Sequence, residues 1–317
     1  MSSLSSEQDT SLMSFDDYVR SLCIYTNEIE SATNNFADEN FISQNTFYQV
    51  YKGQLSHSGE LIDIVARKCL QRSVATNEIM MSKDIKHKNI VSIFKCWYTD
   101  FIISKHEANE SLDKYLSGST LTWIQRLHIC VCIADALRYI HNIKDDECVI
   151  HGNIKSSHIL LDHNWEPKLK GFGFAIRGKK HHLHLISEYK GSIEYMDPAY
   201  ERTGGLTHKS DVFSFGVVFF EVLFGRKADG KNWDFARLAR SHYKAGTLDA
   251  MINSDLRQQM NEHSLKIFSD TAYFCLNEGG ALRPDMDQIF KKLQEALELQ
   301  QMHESYVRSS NHLKVNN

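Results

Sequence analysis

Between about residues 41 and 104 the apolar positions come in short stretches, FYQVYKG, LIDIVARKCL, NIVSIF and FIIS, separated by polar turns. Runs of this length, rich in β-branched and aromatic residues, predict a small strand-rich unit, with one helix around 76–85. From residue 121 the period changes. Trp123, Leu127, Cys130, Val131, Ala134, Leu137 and His141 recur at steps of three and four, which places them on one face of a long helix. VFSFGVVFFEVLF at 212–224 is apolar on nearly every side and too long for one strand, so it predicts a buried central helix. Further helices are expected at 233–244, 264–276 and 285–300, the last beginning just past Pro284. Residues 1–24 and 301–317 carry no such period and are read as a flexible leader and a C-terminal tail. The expected domain therefore covers 25–300, with a β-rich part at about 36–105 and a larger α-rich part at about 106–300. No internal repeat appears, which excludes solenoids and propellers.

Composition narrows the function classes. The chain of 317 residues is 42% hydrophobic and 24% charged, ordinary globular usage, and its net charge of −4 provides no basic field for nucleic acid. Seven cysteines occur without a C-x-x-C pair, so reduced thiols are expected rather than a disulfide framework or a zinc site. The run at 212–224 is interrupted by Ser214, Gly216 and Glu221 and falls short of the ~20 residues of a membrane helix. The polar N-terminus lacks a signal-peptide core. A soluble, cytoplasmic chain with no membrane span is expected.

Several segments then align in order: VYKG at 50–53, VARK at 65–68, HGNIKSSHILLD at 151–162, GFG at 171–173, DPAY at 197–200, KSDVFSFGVV at 209–218 and RPDM at 283–286, with EIESATNNF at 28–36 ahead of them. Together they resemble a plant receptor-like protein kinase domain over roughly 25–300. The resemblance implies an α+β, protein-kinase-like bilobal fold with a small β-rich N-lobe and a larger α-helical C-lobe. Pro167, Pro198 and Pro284 sit where turns of that fold are expected.

The resemblance also exposes what is missing. SQNTFYQV at 43–50 matches the glycine-rich loop that approaches ATP phosphates through backbone N–H groups, but Ser43, Asn45 and Tyr48 occupy the glycine positions. Tyr48 is the bulkiest obstruction. The catalytic-loop pattern H-R-D-x-K-x-x-x-N is matched by His151, Gly152, Asn153, Lys155 and His158. An amide at Asn153 cannot act as a base, and His158 replaces a metal-binding Asn. Gly171 stands where the magnesium-binding Asp of D-F-G is implied, and glycine offers no side-chain ligand. Ala199 replaces the Glu that would pair with Arg283; Asp197 is not expected to substitute, and Arg283 is expected to turn to solvent or find another carboxylate.

Some of the pattern is kept. Lys68 and Glu78 match the lysine–glutamate pair that positions phosphates, although the helix bearing Glu78 would be short. Val50, Ala66 and Leu160 match the apolar residues that sandwich adenine. These leave two readings open, a nucleotide held without magnesium and a structural remnant. His151, Phe172 and Asp211 match internal scaffold positions. His181, His182 and His184 are read as part of a solvated loop rather than a metal or pH sensor, and Ser187, Tyr189 and Ser192 are candidate phosphorylation targets. The expected function is that of a pseudokinase with no functional catalytic residues, no resident metal and no required cofactor, acting as scaffold or allosteric partner of other receptor-like kinases. Two alternatives are kept: a divergent Ser/Thr kinase with weak transfer, and a metal-independent nucleotide switch.

Overall fold

The structure, a computed structural model, describes residues 13–186, 191–228 and 235–315, with side chains described as far as residue 309. Five strands, β1 (Phe41–Gln44), β2 (Tyr48–His57), β3 (Glu60–Cys69), β4 (Lys95–Trp97) and β5 (Phe101–Lys105), form an antiparallel sheet in the order β1-β2-β3-β5-β4. Successive strand residues face opposite sides, and here both sides are covered. On one, Leu55, Ile64, Ala66, Phe101 and Ile103 bury against Ile24 and against Ile29 of a helix at Thr26–Ala32. On the other, Tyr48, Cys96 and Ile102 bury against Val74, Ala75 and Ile79 of a helix at Arg72–Asp84 and Tyr18 of a helix at Phe15–Ser21. In chain order these helices are α1 (Phe15–Ser21), α2 (Thr26–Ala32) and α3 (Arg72–Asp84).

The flexible-leader expectation is corrected from residue 13 onward. Tyr18 is buried and its hydroxyl meets Ser82 Oγ at 3.1 Å. The Ile24 amide donates to the Cys96 carbonyl at 3.1 Å, and the Cys96 amide donates to that of Leu22 at 2.9 Å. The segment is too short to show a period of its own and owes its order to the sheet it covers.

The chain divides into two compact units, Met1–Glu107 with Phe172–Ala175, and Ala108–Gly171 with Ile176–Asn317. The second is built on α4 (Trp123–His141), α5 (Pro198–Thr203), α6 (His208–Phe224), α7 (Phe235–Ala245), α8 (Ser254–Arg257), α9 (Glu262–Cys275) and α10 (Met286–Val315). Short antiparallel pairs join β6 (Glu147–Ile150) to β9 (Ile176–Lys179), β7 (Ile159–Leu161) to β8 (Pro167–Leu169) and β10 (His184–Leu185) to β11 (Gly205–Leu206). α6 is buried almost throughout, as its all-round apolar sequence requires. Arg126 is buried too, and its guanidinium is satisfied by the carbonyls of Leu121, Val222, Tyr115, Leu116 and Gly118. The expected tail at 301–317 is also corrected: α10 runs to Val315. No Gly or Pro interrupts it, and Gln300 ties it to the start of α9 by accepting from the Asn261 amide and donating to the Gln259 carbonyl. All seven cysteines are free. Among the described residues no helix is long and apolar enough to cross a membrane.

Candidate functional site

In the first unit the sequence expectation is displaced by one residue. Glu78 of α3 is paired with Arg67, Nη1 to Oε1 2.8 Å, and not with Lys68, which is exposed and lies over the Phe36 ring at 5.7 Å. Strand alternation is the cause. Arg67 and Lys68 are neighbours on β3 and point to opposite faces of the sheet, and only the face of Arg67 is turned to α3. The same alternation separates Val50 from Ala66. Val50 is registered opposite Arg67 and packs with the α3 cluster, whereas Ala66 is in the α2 cluster, so the two do not form one adenine wall. Leu160 belongs to the second unit, half-buried in β7.

Tyr48 turns inward. Its hydroxyl donates to Glu78 Oε2 at 2.9 Å, and the Arg67 guanidinium sits 5.2 Å from its ring centre. Burial, then the Glu78 charge, pushes the phenol pKa far up, so it remains a donor. Burial opposes the charge on Arg67, yet Glu78 and Tyr48 raise its pKa overall. The hairpin tip is closed on itself. Asn45 Oδ1 accepts from the amides of Phe47 and Tyr48 at 2.8 and 2.9 Å, so the N–H groups that a glycine-rich loop would offer to phosphate are already taken. Phe47 packs edge-on against Phe174 at 4.8 Å, and Asn77 of α3 donates to the carbonyls of Phe172, Gly173 and Ala175.

In the second unit Asp211, near the start of α6, organises the loop after β6. It accepts from the amides of His151 and Gly152 at 2.7 and 2.8 Å and from His141 Nε2 at 2.9 Å. Burial alone would raise this carboxyl, but the His141 contact and the other donors hold its pKa below the ordinary value. Asn153 accepts from the Ser192 amide at 3.2 Å, and Lys155 Nζ donates to Ser192 Oγ at 2.9 Å. Both residues thus grip one serine, whose hydroxyl is half-buried and engaged rather than freely exposed. Ser187 and Tyr189 lie outside the described residues. His158 Nδ1 donates to the Asn153 carbonyl at 2.9 Å; burial, then the charges of Lys155 and Lys170, lower its pKa well below the usual value, so the ring is neutral. Gly171 has φ +96°, and a Cβ placed on it would lie 2.8 Å from His158 Nδ1. The imidazole occupies the room into which a side chain at 171 would project. His181 packs against His208 at 4.8 Å while His184 lies in β10, so the three histidines do not converge.

Arg283 finds another carboxylate, as one of its two expected outcomes had it, but the partner is Asp197, which was not expected to substitute. The Arg283 side chain is fully buried and paired bidentately with Asp197, at 2.6 and 2.7 Å. Asp197 is the N-cap of α5, where its carboxylate also accepts from the Ala199 amide, and from there it reaches the guanidinium that Ala199 cannot satisfy. Sequence reasoning also passed over Tyr195, whose hydroxyl donates to buried Glu221 Oε1 at 2.6 Å. Burial pushes the Glu221 carboxyl up to about 7, against the pull of Tyr195 and the Ala228 amide.

A five-stranded sheet with its helix-borne Glu–Arg pair, and a helical unit whose buried Asp holds the loop after β6, are the parts of a protein kinase domain. Residues 37–293 match the protein tyrosine and serine/threonine kinase family, and the chain belongs to it. It is 36% identical over 289 residues to the receptor-like protein kinase HERK 1 of Arabidopsis thaliana, covering 86% of this chain and 34% of that protein. It is 33% identical over 311 residues to THESEUS 1 and 31% over 289 residues to FERONIA, receptor-like protein kinases of the same plant. Those matches cover 92% and 86% of this chain and 36% and 32% of the relatives. The chain spans about a third of the length of the curated relatives it matches.

Proposed function

We propose that this kinase domain does not transfer phosphate and acts in the cytoplasm as a scaffold or allosteric partner of catalytically competent receptor-like kinases. The observation that carries the reading is Gly171 at φ +96° beneath the His158 ring. Magnesium needs hard oxygen ligands, and a neutral imidazole hydrogen-bonded to the Asn153 carbonyl takes the space in which one would stand. Two further features support it. Asn153 offers an amide where phosphoryl transfer uses a carboxylate, and the hairpin amides of Phe47 and Tyr48 are engaged by Asn45.

The test is made on purified protein with ATP, with and without Mg²⁺. Thermal unfolding should not shift in either case, since a ligand stabilises only what binds it, and no label should move from γ-phosphate to a generic substrate. Transfer that disappears in Arg67→Ala or Lys155→Ala would overturn the proposal. A Mg²⁺-independent shift lost in Arg67→Ala would replace the scaffold with a nucleotide-responsive switch.

A further inference from the structure

Outside the kinase-like positions, one group of side chains has no part in the reading above. His128 and Cys132 lie one turn apart on α4, the i, i+4 spacing that stacks two side chains on one helix face. Glu166 joins them from the turn between β7 and β8. That turn is closed by the Glu166 amide donating to Asp162 Oδ1 at 3.0 Å and the Asp162 amide donating to the Glu166 carbonyl at 3.0 Å.

We propose that His128, Cys132 and Glu166 form a binding site for a borderline-soft divalent cation of the zinc type. Their donor atoms all lie within 4.8 Å of one another. His128 Nε2 is 3.0 Å from Glu166 Oε1 and 3.5 Å from Cys132 Sγ, and Cys132 Sγ is 4.0 Å from Glu166 Oε2. Tetrahedral zinc with bonds of about 2.0 Å to N and O and 2.3 Å to S has ligand–ligand edges of about 3.3–3.5 Å, so shifts of about half an ångström seat the ion. Imidazole, thiolate and carboxylate are the donor types zinc takes, and the two anionic groups balance its charge. Cys132 is buried, while the side chains of His128 and Glu166 are 42% and 45% exposed. The thiol therefore forms the floor and the fourth position opens to water, the arrangement of a three-ligand site. Binding breaks the Cys132 S–H bond, forms the S–Zn bond and releases the proton to solvent. The absence of a C-x-x-C pair, which argued against zinc at the level of sequence, does not bear on ligands brought together from a helix and a distant turn.

Cobalt(II) and zinc(II) titrations of the chelator-treated full chain test this. Co²⁺ should bind one per chain and give a thiolate-to-cobalt charge-transfer band that Zn²⁺ displaces. The band should vanish in Cys132→Ser and persist in Cys23→Ser. Glu166→Gln changes an exposed group and keeps the fold, and should weaken binding at least about tenfold while leaving metal-free unfolding unchanged. Failure to bind stoichiometrically, a band that survives Cys132→Ser, or an unaltered affinity in Glu166→Gln would each reduce the cluster to an ordinary His128–Glu166 hydrogen bond.

Discussion

Glu221 is buried in α6 with its carboxyl at about 7, facing Tyr195, the Ala228 amide and the charge of Lys227. Its pKa is higher folded than unfolded. The stability it contributes is therefore complete below the unfolded value of about 4.5 and is lost as pH rises through about 7. The span corresponds to about 3 kcal/mol. Relative to Glu221→Gln, the wild-type protein should lose about that much between pH 4 and pH 8, read from chemical denaturation at each pH; parallel pH profiles would show that the carboxyl is not buried. The residue itself is plain in the sequence. Its environment is not, because a glutamate in an apolar helix declares its burial only through the groups packed around it.

At the scale of elements, β3 decides which cation completes the small unit. Ile64 and Ala66 bury on one face while Arg67 and Cys69 turn to the other, so the strand carries no clean polar–apolar alternation from which parity can be read. VARK thus matched a motif while leaving its register open by one position. Arg67→Ala should strand Glu78 and cost about 3–5 kcal/mol, as removal of one partner of a buried pair does. Lys68→Ala, at an exposed position, should stay within about 0.5 kcal/mol. Equal losses in urea unfolding would restore Lys68 as the partner. Asp197 teaches the same lesson at α5. Its distance in sequence from Arg283 hides a pair that exists because the helix start aims the carboxylate inward. α4 and α6, by contrast, were legible at once, since their apolar spacing is a local property.

At the scale of the whole molecule, residues 13–24 belong to the fold. Tyr18 and Ile24 are buried against the sheet, and fully burying such a side chain contributes about 1.5–3 kcal/mol. Deleting residues 1–24 should therefore lower stability by about 3–6 kcal/mol, measured by denaturant unfolding of the truncated and full chains. An unchanged midpoint would return the segment to a flexible leader. Sequence alone determined a strand-rich part followed by a helix-rich one, the kinase resemblance and the identity of Asn153, His158 and Gly171, because these depend on local periodicity or on what stands at a motif position. Tertiary structure decided that Arg67 and not Lys68 meets Glu78, that Asp197 serves Arg283, that Tyr48 turns inward and that His158 fills the space over Gly171. Each is a choice of partner between residues distant in sequence, or of which face a strand residue presents. Such choices are made by packing across the fold, which the order of residues does not display.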